Sequence, residues 1–116
     1  MKYEIRYKPA FASIFVTLNP GDSIIAEAGA MTSMDGQVSM QTQFSGGLIS
    51  GLLKKFLGGE SLFVNEFSNK ASQPLTVVLN QSCVGDIEKF DLNNGEICLQ
   101  PGAYIAHTPG VKMGVA

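Results

Sequence analysis

The sequence has little of what metal sites and nucleic-acid surfaces are built from. It has one histidine among 116 residues, no tryptophan, and only 16% charged residues. A histidine-rich metal site cannot be built within one subunit from His107 alone, although a site shared between subunits stays open. The net charge of -2 lacks the basic excess of a general nucleic-acid surface. We therefore predict no metal, no cofactor and no DNA binding.

Cysteine is also scarce. Cys83 and Cys98 are too few for a disulfide scaffold and lack the close paired spacing of a zinc site. This favours two reduced, structural thiols. A disulfide between them stays open if their two segments are neighbours in space.

The sequence lacks a secretory signal and a membrane-spanning run. Met1 and Lys2 lead directly into alternating charges instead of an apolar segment, so we predict a cytoplasmic protein. The longest uncharged run, from Gly36 to Leu53, is interrupted by glutamines and glycines. It does not supply the roughly 20 apolar residues that a spanning helix needs.

What the sequence does contain is β-strand alternation. Tyr3, Ile5 and Tyr7 alternate with charged residues, and similar short segments recur between Gly, Pro and Asn turns. The 45% apolar content supports one core, so we predict a single all-β domain over 1–116, a sandwich of jelly-roll type. Turns are predicted at Pro20-Gly21, Asp35-Gly36 and Asn94-Gly95. The predicted strands are 2–8, 14–18, 23–26, 30–34, 38–44, 61–67, 75–80, 87–92 and 97–100.

A weak internal echo aligns Ile24–Met31 with Ile97–Tyr104 through their Gly-Ala pairs. Duplication of a strand corner and coincidence in a glycine-rich chain explain it equally well. If it is a duplication, the chain contains one repeat and the start of a second.

The segment 46–59, GGLISGLLKKFLGG, breaks the β pattern because its apolar residues follow helical spacing. It predicts one short amphipathic helix with lysines opposite the apolar half. Three roles are open: a plug that closes the sandwich, a contact between identical subunits, or association with a membrane surface. The predicted interaction surface comprises Leu48, Ile49, Leu52, Leu53, Lys54, Lys55, Phe56 and Leu57.

No arrangement of residues predicts catalysis. Glu27 and Glu60 lie beside glycines, where capping of backbone N–H groups is favoured over acid–base chemistry. His107 is expected at the surface or at a sheet edge, and no local motif pairs it with a cysteine. The glycine-rich segment lacks the Gly-Lys-Ser or Gly-Lys-Thr of a phosphate loop. We predict that the protein is not an enzyme.

Aromatic and basic residues interleave only at Tyr3, Arg6, Tyr7 and Lys8. A single-stranded nucleic-acid platform needs more than this, so RNA binding is disfavoured.

The segments Glu27–Met31 and Gly59–Phe63, with the glycine-rich segment between them, resemble a family of bacterial and mitochondrial proteins. It is a domain of unknown function whose mitochondrial members are named for altered inheritance of mitochondria. The resemblance covers nearly the whole chain. It implies a fold like that of the tryptophan RNA-binding attenuation protein, a double-stranded β-helix related to jelly rolls, and usually an oligomer. It implies no reaction, ligand or catalytic residue.

Members of that family are typically about twice this length, so the chain resembles their N-terminal half. Strands absent from a second half would leave open sheet edges, which pair with other chains. We therefore expect a non-enzymatic homo-oligomeric scaffold or binding module, with exchanged strands as one form of the oligomer. The alternatives are a small-ligand or RNA-binding module by fold analogy and peripheral membrane contact through the 46–59 helix.

Overall fold

The protein is described by a computed structural model that covers residues 1–44 and 63–113. The described chain is all-β, with two four-stranded antiparallel sheets. The predicted helix over 46–59 lies outside the described residues. The strands are β1 Lys2–Arg6, β2 Ser13–Leu18, β3 Ser23–Glu27, β4 Met31–Met34, β5 Ser39–Phe44, β6 Phe63–Ser68, β7 Leu75–Leu79 and β8 Ala106–His107.

The two sheets pack their apolar faces together. The first sheet has the order β1-β2-β7-β4 and the second has the order β5-β6-β3-β8. Because side chains alternate along a strand, every second residue of the central strands enters the core. The coarse prediction of an all-β, sandwich-like domain is therefore confirmed. The buried core draws on both sheets and includes Val16, Leu18, Ile24, Ala26, Phe67, Leu75, Val77 and Leu79.

A buried asparagine joins the end of β2 to the β6–β7 loop at one end of the sandwich. Asn69 is 1% exposed, and its Nδ2 donates to the carbonyls of Leu18 at 2.8 Å and Gln73 at 2.7 Å. Its Oδ1 accepts the Ala71 N–H at 2.8 Å. A buried polar side chain is tolerated only when it is hydrogen-bonded, and Asn69 is bonded through both amide atoms.

The predicted chain reversal at Pro20-Gly21 is present. Asp22 N donates to Asn19 O at 2.9 Å, which closes a four-residue turn. Gly21 has φ +89°, the left-handed region that the second central residue of a type II turn requires. The sequence identified this glycine correctly.

The predicted hairpin at Asp35-Gly36 is wrong. A turn does form, with Val38 N donating to Asp35 O at 3.0 Å, but it carries the chain from β4 in one sheet to β5 in the other. Tight two-residue hairpins need positive φ at a central residue, and Gly36 does not have it. Asp35 instead bonds β7, because its carboxylate accepts the Thr76 N–H at 2.7 Å.

The predicted strands over 87–92 and 97–100 are also wrong, because neither segment belongs to a described strand. Their turn exists: Gly95 N donates to Leu92 O at 2.6 Å, with positive φ at Asn93 and Asn94. A two-stranded hairpin is marginal without an apolar face to bury, and Ile97 remains exposed. In the internal sequence similarity, β3 (Ser23–Glu27) therefore has no equivalent strand in the second aligned segment.

Candidate interaction surface

The predicted interaction surface, from Leu48 to Leu57, lies outside the described residues, as does Glu60. Its contribution therefore stays a prediction. The exposed surfaces in the described part of the chain include the outer edges of the sheets and a group of apolar side chains on two loops.

Of the four strands at the sheet edges, three have features that discourage pairing with another chain. β1 carries Lys2, Glu4 and Arg6 along its five residues. β4 has four residues and a register shift between Met31 and Ser33. β8 has only two residues. Charges, bulges and short length are the usual means by which sheet edges avoid association.

β5 has none of these features. Its six residues, SMQTQF, include no charge and no proline. It pairs with β6 without a register shift, from Ser39 opposite Ser68 to Phe44 opposite Phe63. Met40 on this strand is 46% exposed, and no described strand pairs with the side of β5 away from β6. We call that side the β5 edge. Among the described strands, this six-residue edge is uncharged and has no strand partner on its outer side.

The β5 edge is held in place by a polar link to its neighbours. Thr42 Oγ1 donates to Asn65 Oδ1 at 2.7 Å, and Asn65 Nδ2 donates to the Ala28 carbonyl at 3.3 Å. Asn65 is buried, so these bonds also satisfy its amide. The link fixes β5 relative to β6 and to the loop after β3.

The second exposed surface is the loop patch, which consists of Tyr7, Phe11 and Val84. Their exposed fractions are 64%, 66% and 76%. Phe11 N donates to Tyr7 O at 3.1 Å, and Ala12 N donates to Gly85 O at 3.0 Å, so the two loops lie against each other. β1 ends at Arg6, and the next residue, Tyr7, has φ 67°. The centre of the Tyr7 ring lies 6.1 Å from the centre of the Phe15 ring. Exposed apolar groups of this kind are typical of contact surfaces.

The basic residues that would support RNA binding are already paired. Arg6 Nε lies 3.1 Å from Glu4 Oε1, and its guanidinium stacks 4.2 Å from the Phe15 ring centre. Lys8 Nζ donates to the Ile87 carbonyl at 3.0 Å and lies 3.4 Å from a carboxylate oxygen of Asp86. A phosphate would have to displace these partners, which weakens the electrostatic attraction that RNA binding depends on.

The sequence did not predict the role of Tyr104, which bonds His107 and the Ile25 carbonyl at the β3–β8 junction. Tyr104 Oη lies 2.8 Å from His107 Nδ1 and donates to Ile25 O at 3.4 Å. Burial, with a smaller effect of the Glu27 charge, raises the pKa of the Tyr104 phenol. Burial lowers the pKa of His107. Both shifts favour the neutral forms, which suits a structural bond that fastens the short β8 strand.

Glu27 and His107 have the structural positions that their sequence context favoured. Glu27 Oε2 accepts the Gly29 N–H at 3.0 Å, so its predicted role as a backbone cap is confirmed. His107 lies on β8, an edge strand, as predicted. The surface depression of about 480 Å³ that lies near Gln37 and residues 70–73 includes neither residue.

Cys83 and Cys98 are free and exposed, so they do not form the disulfide that the sequence left open. Among residues 1–44 and 63–113, no group of three His, Cys, Asp or Glu side chains could hold a metal ion. The same residues include no helix of the length and hydropathy needed to cross a membrane.

Comparison with known families agrees with the resemblance that the sequence motifs suggested. The family model described as mitochondrial biogenesis AIM24 matches residues 3–116, which is essentially the whole chain. The chain belongs to the AIM24 family. No curated protein matches it in a sequence search. The AIM24 match therefore supplies a family, while any function must be argued from the surfaces described above.

The signal for the β5 edge was present in the sequence of this AIM24-family protein. The uncharged run from Gly36 to Leu53 contains all of β5. The loop patch had no such signal, because Phe11 and Val84 belong to no periodic segment and lie on loops that come together only in the folded chain.

Proposed function

We propose that this protein is a non-enzymatic scaffold or binding module that assembles with copies of itself. The observation that carries the proposal is the β5 edge, a six-residue uncharged strand side with no described partner. A jelly-roll or double-stranded β-helix topology is part of the same proposal, since such sandwiches close or cover their edges.

The contrast among the edge strands supports self-association over chance exposure. An uncovered flat edge is a template for pairing with another strand, and soluble proteins generally protect such edges. β1, β4 and β8 follow this rule through charge, irregular register and short length. No described strand covers the β5 edge, which supports its being covered by another chain in the working form of the protein.

The loop patch supports a binding role beyond self-association. Tyr7, Phe11 and Val84 are exposed on backbone that is hydrogen-bonded in place. Apolar side chains presented by ordered loops lose little conformational entropy when a partner covers them. An oligomer held together through β5 would display one loop patch per subunit.

Fewer observations support the alternatives, which are RNA binding, a small-ligand site and membrane-surface contact. RNA binding by analogy with the attenuation protein relies on fold alone, and the cations expected to serve it, Arg6 and Lys8, already contact carboxylates. A small-ligand site has no polar cluster among the described residues to recommend it. Membrane-surface contact depends on the 46–59 segment and stays a prediction.

Sedimentation velocity over a dilution series in the micromolar range tests the proposal. We expect a species whose mass is a multiple of 12.4 kDa and which dissociates on dilution. A single 12.4 kDa species across the series would contradict self-association. Retention of RNA that falls with added salt, and is lost in the variant Arg6→Ser with Lys8→Ser, would favour the RNA-binding alternative.

A further inference from the structure

We propose that two copies of the chain pair through their β5 edges, antiparallel and about a two-fold axis, so that their second sheets join into one continuous sheet. This inference rests on the proposed function and names the surface of its partner: the β5 strand of a second copy.

The chemistry of β5 favours its own copy as the occupant. A charged edge strand meets like charges when it pairs with itself, which is destabilising, whereas SMQTQF contains no charge. An antiparallel pair formed by one strand and its copy is also self-complementary, so the assembly closes at two subunits along this edge. Pairing with β1 of another copy would instead set β5 against Lys2, Glu4 and Arg6.

Side-chain alternation restricts the register of the pair. In a continuous sheet, directly opposed residues project to the same face. A two-fold axis perpendicular to the sheet puts each residue and its copy on the same face. The residue at the axis must therefore oppose its own copy. Two registers leave only one residue of β5 unpaired: one has Gln41 at the axis and the other has Thr42 there.

The two registers set different positions of the strand opposite each other. With Gln41 at the axis, Met40 opposes Thr42 of the other copy. With Thr42 at the axis, Met40 opposes Phe44 and Gln41 opposes Gln43. Met40 is 46% exposed in one copy and lies opposite Phe67 of β6. In either register it gains a second cross-strand neighbour, from the other copy.

Disulfide crosslinking reads the register directly. Opposed Cα atoms in an antiparallel pair are about 4.5 to 5.5 Å apart, within the range of about 4.4 to 6.8 Å that a disulfide spans. The background variant carries Cys83→Ser and Cys98→Ser, because both native thiols are exposed. In that background, either Gln41→Cys or Thr42→Cys should form a covalent dimer under mild oxidation. The matched control is Glu4→Cys, which lies on the charged β1 edge and should stay monomeric on a denaturing gel.

A charge placed at the edge provides a second test that does not depend on oxidation. Gln41 is exposed and its side chain has no role in the core, so Gln41→Lys should leave folding unchanged. With Gln41 at the axis, the two introduced lysines oppose each other; like charges opposed across a strand pair cost up to about 1 kcal/mol, so the dimer dissociation constant should rise by up to about fivefold. With Thr42 at the axis, the two lysines lie diagonally across the pair, and the rise should be smaller. Gln41→Thr, which favours a strand and adds no charge, should leave it unchanged.

The outcomes separate this inference from the proposed function. Crosslinking at Gln41 or Thr42, with weakened association in Gln41→Lys, supports the β5 pair. An oligomer that forms no crosslink at either position and ignores Gln41→Lys overturns the β5 pair but leaves self-association intact. A monomer at every concentration overturns both.

Discussion

Replacing Asn69 with alanine tests whether one buried amide holds the loops at the end of the sandwich together. The substitution removes three hydrogen bonds, to Leu18 O, Gln73 O and Ala71 N, with lengths of 2.8, 2.7 and 2.8 Å. Each is worth about 1 kcal/mol net, and a buried carbonyl left without a donor costs about 1 kcal/mol or more. Water can still reach the partly buried Gln73 and Ala71 ends, so we expect a loss of about 3 kcal/mol.

That loss is large against the total stability of about 5 to 15 kcal/mol expected of a domain. Urea unfolding followed by circular dichroism gives the free energy of unfolding for the protein and the variant. The matched control is Asn80→Ala, which loses the exposed bond from Thr32 Oγ1 to Asn80 Oδ1 at 2.7 Å and should cost about 1 kcal/mol or less. A loss in Asn69→Ala no greater than in the control would refute the reasoning.

The remaining predictions concern a turn, a histidine and a cap. Gly21→Ala should destabilise the folded protein by about 1 kcal/mol, because the φ of Gly21 is +89°. Gly36→Ala should be neutral or slightly stabilising, because Gly36 has open space around it and no positive φ. Urea unfolding of both variants measures the contrast. Burial lowers the pKa of His107 in the folded protein, so His107 binds a proton more readily in the unfolded state. Stability should therefore fall as pH drops through and below the unfolded pKa of about 6.5, and His107→Gln should remove that dependence. Glu27→Ala should lose about 0.5 to 1 kcal/mol through the Gly29 N–H bond, and Glu27→Gln, which keeps an acceptor, should lose less.

Sequence alternation was sufficient where a strand has an apolar face to bury. β2, β3, β6 and β7 supply most of the core, and each was predicted to within about two residues at its described ends. Alternation of burial is clearest in β7, whereas β3 buries three residues in succession. The 87–100 region has similar local signals but no such face. Its Ile87 carbonyl is taken by the Lys8 side chain and its Ile97 is exposed, so tertiary contacts, not local pattern, determine its conformation.

The surfaces were harder to predict because they depend on strand order. Whether a strand lies at an edge follows from its partners across the sheet, and β5 is at an edge because β6 is its one partner among the described strands. The turn at Asp35-Gly36 shows the same limit. Its residues predicted a reversal within one sheet, while in the fold Asp35 bonds Thr76 of β7 in the first sheet and the turn that follows leads to β5 in the second.

Hydrogen exchange of the β5 amides tests the account most directly. Within one subunit, antiparallel pairing with β6 engages only alternate backbone groups of Ser39–Phe44. If the β5 edge is covered by a second copy, the remaining amides should become protected as protein concentration rises, while exchange along the β1 edge stays constant. Exchange of the β5 amides that is the same at all concentrations would contradict the account.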